Sequence, residues 1–164
     1  MPAYSVSNQL TATAPTNLTT TYKTQVAISA LTGATTLRRG WLMEWEIGAD
    51  GARQTTSIAI SYGILKFTAV GTGTAATPNP NDVGGGDAAA LLTYNVNHSA
   101  EPTYTVNTGT MWYLPLDQQA SYRIQMRDKF SALIVPAITV NGLACAAKSA
   151  TYASTVGWRL MVEE

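Results

Sequence analysis

The sequence predicts an all-β fold, an antiparallel two-sheet sandwich or jelly roll with an extended N-terminal arm. Three observations predict it. Apolar and polar residues alternate with a period of two, most cleanly at the end of the chain. There Val156, Trp158, Leu160 and Val162 fall on one side and Gly157, Arg159, Met161 and Glu163 on the other. Some eight to ten such segments recur, with turn signals roughly 8–12 residues apart. No helical stretches separate them, so the strands pair antiparallel and bury one face of each sheet against the other.

Residues 1–21 are dominated by Thr, Ser, Asn and Ala, with Tyr4, Val6 and Leu10 as isolated apolar anchors. That content is too low for a core of its own, but its β-prone residues suit a strand added to a partner's edge. The expected division is an arm over 1–21 and a single sandwich domain over 22–164.

The first strand of that domain is expected over 22–31, with Tyr22, Val26, Ile28 and Ala30 inward and Lys23 and Gln25 outward. The next, 40–48, places Trp41, Met43, Trp45 and Ile47 on one face, and Asp50-Gly51 supplies a hairpin turn. Over 57–70 the residues Ile58, Ile60, Tyr62 and Ile64 share a face. The pattern then changes phase near Gly63, with Leu65, Phe67 and Ala69 following, a slip that a bulge or a bend fits. Residues 71–87, rich in Gly and carrying Pro78 and Pro80, read as the longest irregular loop. Asp87 is placed to cap one short helical turn through Leu92. Short strands follow at 94–96, 103–106 and 110–116, the last marked as an edge or a strand end by Pro115. A stronger strand spans 120–127, with Tyr122, Ile124 and Met126 inward. Further strands at 132–135, 138–140, 143–148 and 155–163 complete the set.

The chain has 164 residues, enough for one compact domain with a real core. Charged residues make up only 12%, half the usual share, and the formal net charge is zero. A neutral chain lacks the basic footprint of a nucleic-acid or anionic-membrane binder, so neither partner is expected. The one cysteine, Cys145, cannot form an internal disulfide, which points to folding in a cytosol. Residues 1–10 lack the charged start and apolar run of a signal peptide, and nothing approaches the roughly 20 apolar residues of a membrane helix.

Catalytic chemistry finds little material. Glu44 and Glu46 are the one close carboxylate pair and share a strand face, but no pocket or second acid accompanies them, and a polar outer face accounts for both. His98 lies in Asn97-His98-Ser99-Ala100-Glu101, which holds the residue types of a hydrolytic triad crowded into one stretch where they cannot stand in line. Cys145 sits in a small apolar run and reads as core. One His and one Cys cannot supply the ligands of a zinc site. Gly84-Gly85-Gly86 and Gly71-Thr72-Gly73 lack the Lys and spacing of phosphate loops. No catalytic, cofactor or metal residue is therefore assigned, and the chain is not expected to be an enzyme. Trp41, Trp45 and Trp158 fall on inward faces, leaving Trp112-Tyr113 for the core or a subunit interface.

Several stretches carry a resemblance. They are Tyr4 to Thr13 (YSVSNQLTAT) with Tyr22-Lys23-Thr24, Thr35-Thr36-Leu37-Arg38-Arg39, the loop TAATPNPND over 74–82 running to Asp87-Ala88-Ala89-Ala90, Gln119-Ala120-Ser121-Tyr122-Arg123, and Ala147-Lys148-Ser149-Ala150-Thr151-Tyr152. Together they span nearly the whole chain, which resembles small structural proteins of tailed-bacteriophage virions, most closely jelly-roll capsid cement or decoration proteins. That resemblance implies a homotrimer on the capsid surface, made in the bacterial cytoplasm, bridging major capsid subunits without a cofactor. The implied contacts are Tyr4, Val6 and Leu10 of the arm, Arg38 and Arg39 at a rim, and Pro78 and Pro80 of the long loop. A carbohydrate- or receptor-binding module of a head or tail appendage is the alternative.

Overall fold

The computed structural model describes residues 2–9, 14–30, 37–81, 90–104 and 109–164, and among them every regular element is a strand. In chain order these are β1 (Ala3–Ser7), β2 (Lys23–Ala30), β3 (Gly40–Ala49), β4 (Ala59–Ala69), β5 (Thr72–Ala76), β6 (Asn79–Pro80) and β7 (Leu92–Ala100). There follow β8 (Thr103–Tyr104), β9 (Thr110–Asp117), β10 (Ser121–Gln125), β11 (Leu133–Val135), β12 (Gly142–Lys148) and β13 (Val156–Glu163). Two antiparallel sheets pack face to face, as the alternation predicts. One runs β10-β3-β13-β1-β6, with β11 continuing the line of β10 along β3. The other runs β5-β7-β2-β12-β4, with β8 and β9 end to end along the far edge of β4.

The core lies between them. The first sheet contributes Leu42, Trp45, Ile47, Trp158, Leu160 and Val162, and the second Val26, Ile28, Ile64, Tyr94, Val96 and Leu143. Trp112 stands edge-on to both Trp45 and Trp158, with ring centroids 5.5 and 6.4 Å away. This assigns Trp112 to the core, whereas its neighbour Tyr113 is half exposed. β13 buries the four residues the alternation marks, Val156, Trp158, Leu160 and Val162.

Several local expectations are corrected. In β3 the inward set is Leu42, Trp45 and Ile47, while Trp41 and Met43 are only partly buried. The register with β13 steps from Met161↔Glu44 to Val162↔Leu42, so Met43 is an extra residue that flips the phase of everything before it. β4 runs without a break through Gly63. Leu65 and Phe67 lie on its other face and are buried as well, Phe67 packing with Ala27, Ala144 and Tyr104. Burial on both faces, not a change of phase, produces the apolar run, and the bulge belongs to β9, where the register skips Met111. β2 is likewise buried on both faces, Gln25 included.

Asp50-Gly51 does not close a hairpin. β3 and β4 belong to different sheets, and residues 50–58 cross between them. Gly51 is needed for close approach, because a Cβ there would lie 1.9 Å from Ser154 Oγ. Residues 72–76 and 79–80 of the expected irregular loop form β5 and β6, so the chain passes from one sheet to the other between them. Residues 138–140 form a turn instead of a strand, closed by the Asn141 amide donating to the Ile138 carbonyl at 3.3 Å. Of the expected helical turn, Asp87 to Ala89 lie outside the described residues, Ala90 and Leu91 are irregular, and Leu92 at its end belongs to β7.

The N-terminal segment is built into the sandwich. β1 pairs with β13 over Ala3↔Glu163 to Ser7↔Arg159, and on its other side with β6. Asn8, fully buried, accepts from the Trp158 amide at 2.8 Å and donates to the Val156 carbonyl at 2.9 Å. Leu18 is buried in the same core. The segment expected to add a strand to a partner adds it to the chain's own sheet, because the edge of β13 is the nearest unpaired ladder.

Candidate interaction surface

The residues with reactive chemistry are engaged internally. Glu44 is buried beneath Arg123, whose Nε and Nη2 donate to its two carboxylate oxygens at 2.9 and 2.7 Å. Glu46, outward on the same strand, faces Arg159 at 4.0 Å. A carboxylate tied to a guanidinium in this two-pronged way is a structural clamp. His98 is buried with its ring against Gly73, where a Cβ would come within 2.8 Å of Cε1. Among the described residues neither ring nitrogen has a hydrogen-bond partner, and burial lowers the imidazole pKa against the opposing pull of Glu101. Glu101 itself accepts from the Thr24 amide and the Tyr104 hydroxyl, both at 2.8 Å, and faces Lys23 at 3.5 Å. The triad residue types are therefore adjacent in sequence but not aligned in space. Cys145 is fully buried, as its apolar run suggested, and burial raises its thiol pKa. Among the described residues no group of three or more His, Cys, Asp or Glu side chains could hold a metal ion.

The residues expected to meet a partner are scattered. Tyr4 and Val6 are buried in the sandwich, a correction that follows from the pairing of β1, and Leu10 lies outside the described residues. Arg38 and Arg39 are exposed just before β3. Pro78 is half-buried and Pro80, on the edge strand β6, is exposed. The structure thus leaves an arginine pair and a proline edge open, and withdraws the two aromatic and aliphatic anchors of the N-terminus.

The most exposed apolar material lies elsewhere, between β10 and β12. Phe130 is 102% exposed, and Ile134, Ile138 and Val140 are also in water. Phe130 is held there by a short turn. Asp128 Oδ1 accepts from the amides of Phe130 and Ser131, each at 3.0 Å, and Ser131 Oγ returns a bond to the Asp128 carbonyl at 3.0 Å. Next to it Lys129 points back to the first sheet, 2.9 Å from Glu163 and 4.9 Å from the centre of the Trp41 ring. The turn therefore has both a hydrogen-bonded frame and an anchored neighbour. Close by in the chain, Ile134, Pro136, Gly142 and Leu143 join Phe67 and Lys66 around a groove of about 340 Å³. Gly142 on its lining lets Phe67 and the neighbouring strand approach closely, since a Cβ would lie 2.4 Å from Phe67 Cζ and 2.0 Å from the Ile28 carbonyl oxygen.

The sequence hides this surface because Ile138-Thr139-Val140 alternates like a strand and Phe130 belongs to no alternating segment. A signal was present: Asp128 followed three residues later by Ser131 frames a turn, which leaves a lone aromatic without a strand face to bury it. Comparison with known proteins finds no matching family model, no similar curated protein and no similar solved structure.

Proposed function

We propose that this chain is a capsid cement protein of a tailed bacteriophage, a homotrimer on the virion surface that bridges major capsid subunits. The observation that carries this reading is the concentration of large exposed apolar side chains between 130 and 140 on a charge-poor sandwich. Apolar groups held rigidly in water mark surface that another protein covers. The setting is the one that the resemblance read from the sequence implies. Reactive side chains tied into clamps and core suit a part whose task is attachment. The open Arg38-Arg39 pair and the proline edge at Pro78 and Pro80 then serve as the capsid contact. Exposed Tyr113 and Tyr122 favour a second reading, a glycan- or receptor-binding module, since half-exposed aromatic rings can stack on sugars.

Electron cryomicroscopy of particles of the encoding phage tests the proposal. Density for the sandwich is expected on the outer face of the shell, at junctions between major capsid subunits, and Arg38→Ala with Arg39→Ala is expected to lower its occupancy. Density only on a tail or fibre, together with glycan-array binding that Tyr113→Ala or Tyr122→Ala abolishes, would replace it with the second reading.

A further inference from the structure

We infer that Phe130 of one copy fills the groove between Phe67, Ile134 and Leu143 of a second copy of this chain. The inference deepens the reading of the chain as a self-associating virion protein and rests on it for the occupant. Knob and groove match in kind. Phe130 is wholly in water on a turn braced by Asp128 and by the Lys129 anchor, so little backbone freedom remains to be lost on docking. The groove is lined by aliphatic and aromatic side chains and by Gly142, and it holds about 340 Å³. Phe130 does not fill its own groove, because it is fully exposed.

Charge selects the same partner. Among the described residues Lys66 is the one charged residue lining the groove, and no carboxylate pairs with it. Asp128, two residues before the knob, likewise has no cationic partner there, its Oδ1 being occupied by neutral donors. A docked Phe130 brings the Asp128 carboxylate toward Lys66, so each copy offers both an apolar group with an acid beside it and an apolar slot with a base beside it. Such a pair of surfaces on one chain links copies head to tail into a ring, or reciprocally into a dimer.

Sedimentation velocity on the full chain tests this, using two variants at exposed positions. Phe130→Ala removes the knob, and Thr68→Trp plugs the groove from its rim. Both are expected to keep the wild-type melting temperature. Each alone is expected to weaken self-association about 30-fold or more. Mixed together they should form a 1:1 complex, since one supplies an intact groove and the other an intact knob. Asp128→Asn, which keeps the Oδ1 acceptor of the turn but loses its charge, should weaken association about fivefold.

Wild-type protein that stays monomeric at high micromolar concentration, or variants that keep the wild-type mass, would overturn the inference. So would a mixture that fails to associate. If the wild type is monomeric and Phe130→Ala abolishes capsid binding, the occupant of the surface is the capsid protein and self-docking is wrong while the virion reading stands. If knob and groove associate as described but no particle carries the protein, self-docking stands and the cement reading fails.

Discussion

His98 shows how a single side chain can make this fold sensitive to acid. Its ring is buried against Gly73 in β5, neither nitrogen has a hydrogen-bond partner among the described residues, and Asn97 before it adopts a φ of 50° while donating to the Asn8 carbonyl at 3.0 Å. The carbonyl of His98 also accepts from Thr16 Oγ1 at 3.3 Å, so three segments meet there. Burial lowers the folded-state pKa, so on acidification the unfolded chain takes up the proton first. The stability that the neutral ring contributes is present above about pH 6.5, the unfolded value, and is lost as pH falls toward the folded value. Melting temperature is therefore expected to fall between about pH 7 and pH 5, and His98→Gln, which cannot charge, should flatten that part of the profile. An identical slope in the variant would assign the acid sensitivity to the carboxylates.

At the level of elements, β1 is the most consequential correction. It lies inside the first sheet, between β13 and β6, buries Tyr4 and Val6, and ends in Asn8, which satisfies the Trp158 amide. Each of the two side chains contributes on the order of 1.5–3 kcal/mol by burial. Removing residues 2–9 is accordingly expected to lower the melting temperature by at least about 10 °C, read by calorimetry. A truncated chain that melts with the wild type would mean that β1 is dispensable to the sandwich and free to act outside it. The edge strands differ in kind. β9 carries Pro115 opposite Ser61 on β4, and among the described residues no strand pairs with its other edge, which matches the edge placement that suits a missing amide proton.

For the whole molecule, the pairing of the first strand with the last sets the folding problem. Ala3 opposes Glu163, β3 pairs with β10, β11 and β13, and β2 lies between β7 and β12. Hardly any sheet contact is available until distant parts of the chain have met, and each such closure costs entropy before it gains hydrogen bonds. Refolding by stopped-flow Trp fluorescence, which reports the Trp45, Trp112 and Trp158 cluster, is expected to take milliseconds to seconds or longer. Microsecond refolding would mean that local hairpins, not the long-range ladder, limit the rate.

The sequence by itself determined the class of fold and the residues of its most regular strands. Alternation is a property of the strand backbone, so it shows wherever one face is buried and the other wet, as in β13. It also placed Cys145 in the core and marked β9 as an edge or a strand end through Pro115. The tertiary structure decided what depends on neighbours. Whether Leu65 and Phe67 mark a shifted phase or a second buried face is settled by the burial of both, with Ala27, Ala144 and Tyr104 packed around Phe67. Met43 became a bulge because β13 lies beside it with one residue fewer. The two sheets were assigned by which strands met across long separations, so Asp50-Gly51 could suit a hairpin and still begin a crossover. Tyr4 and Val6 fit any available edge, and only the assembled sheet shows that the edge of β13 takes them. Phe130 has no periodic partner to signal its place, because exposure on a turn is a matter of where the rest of the chain is not.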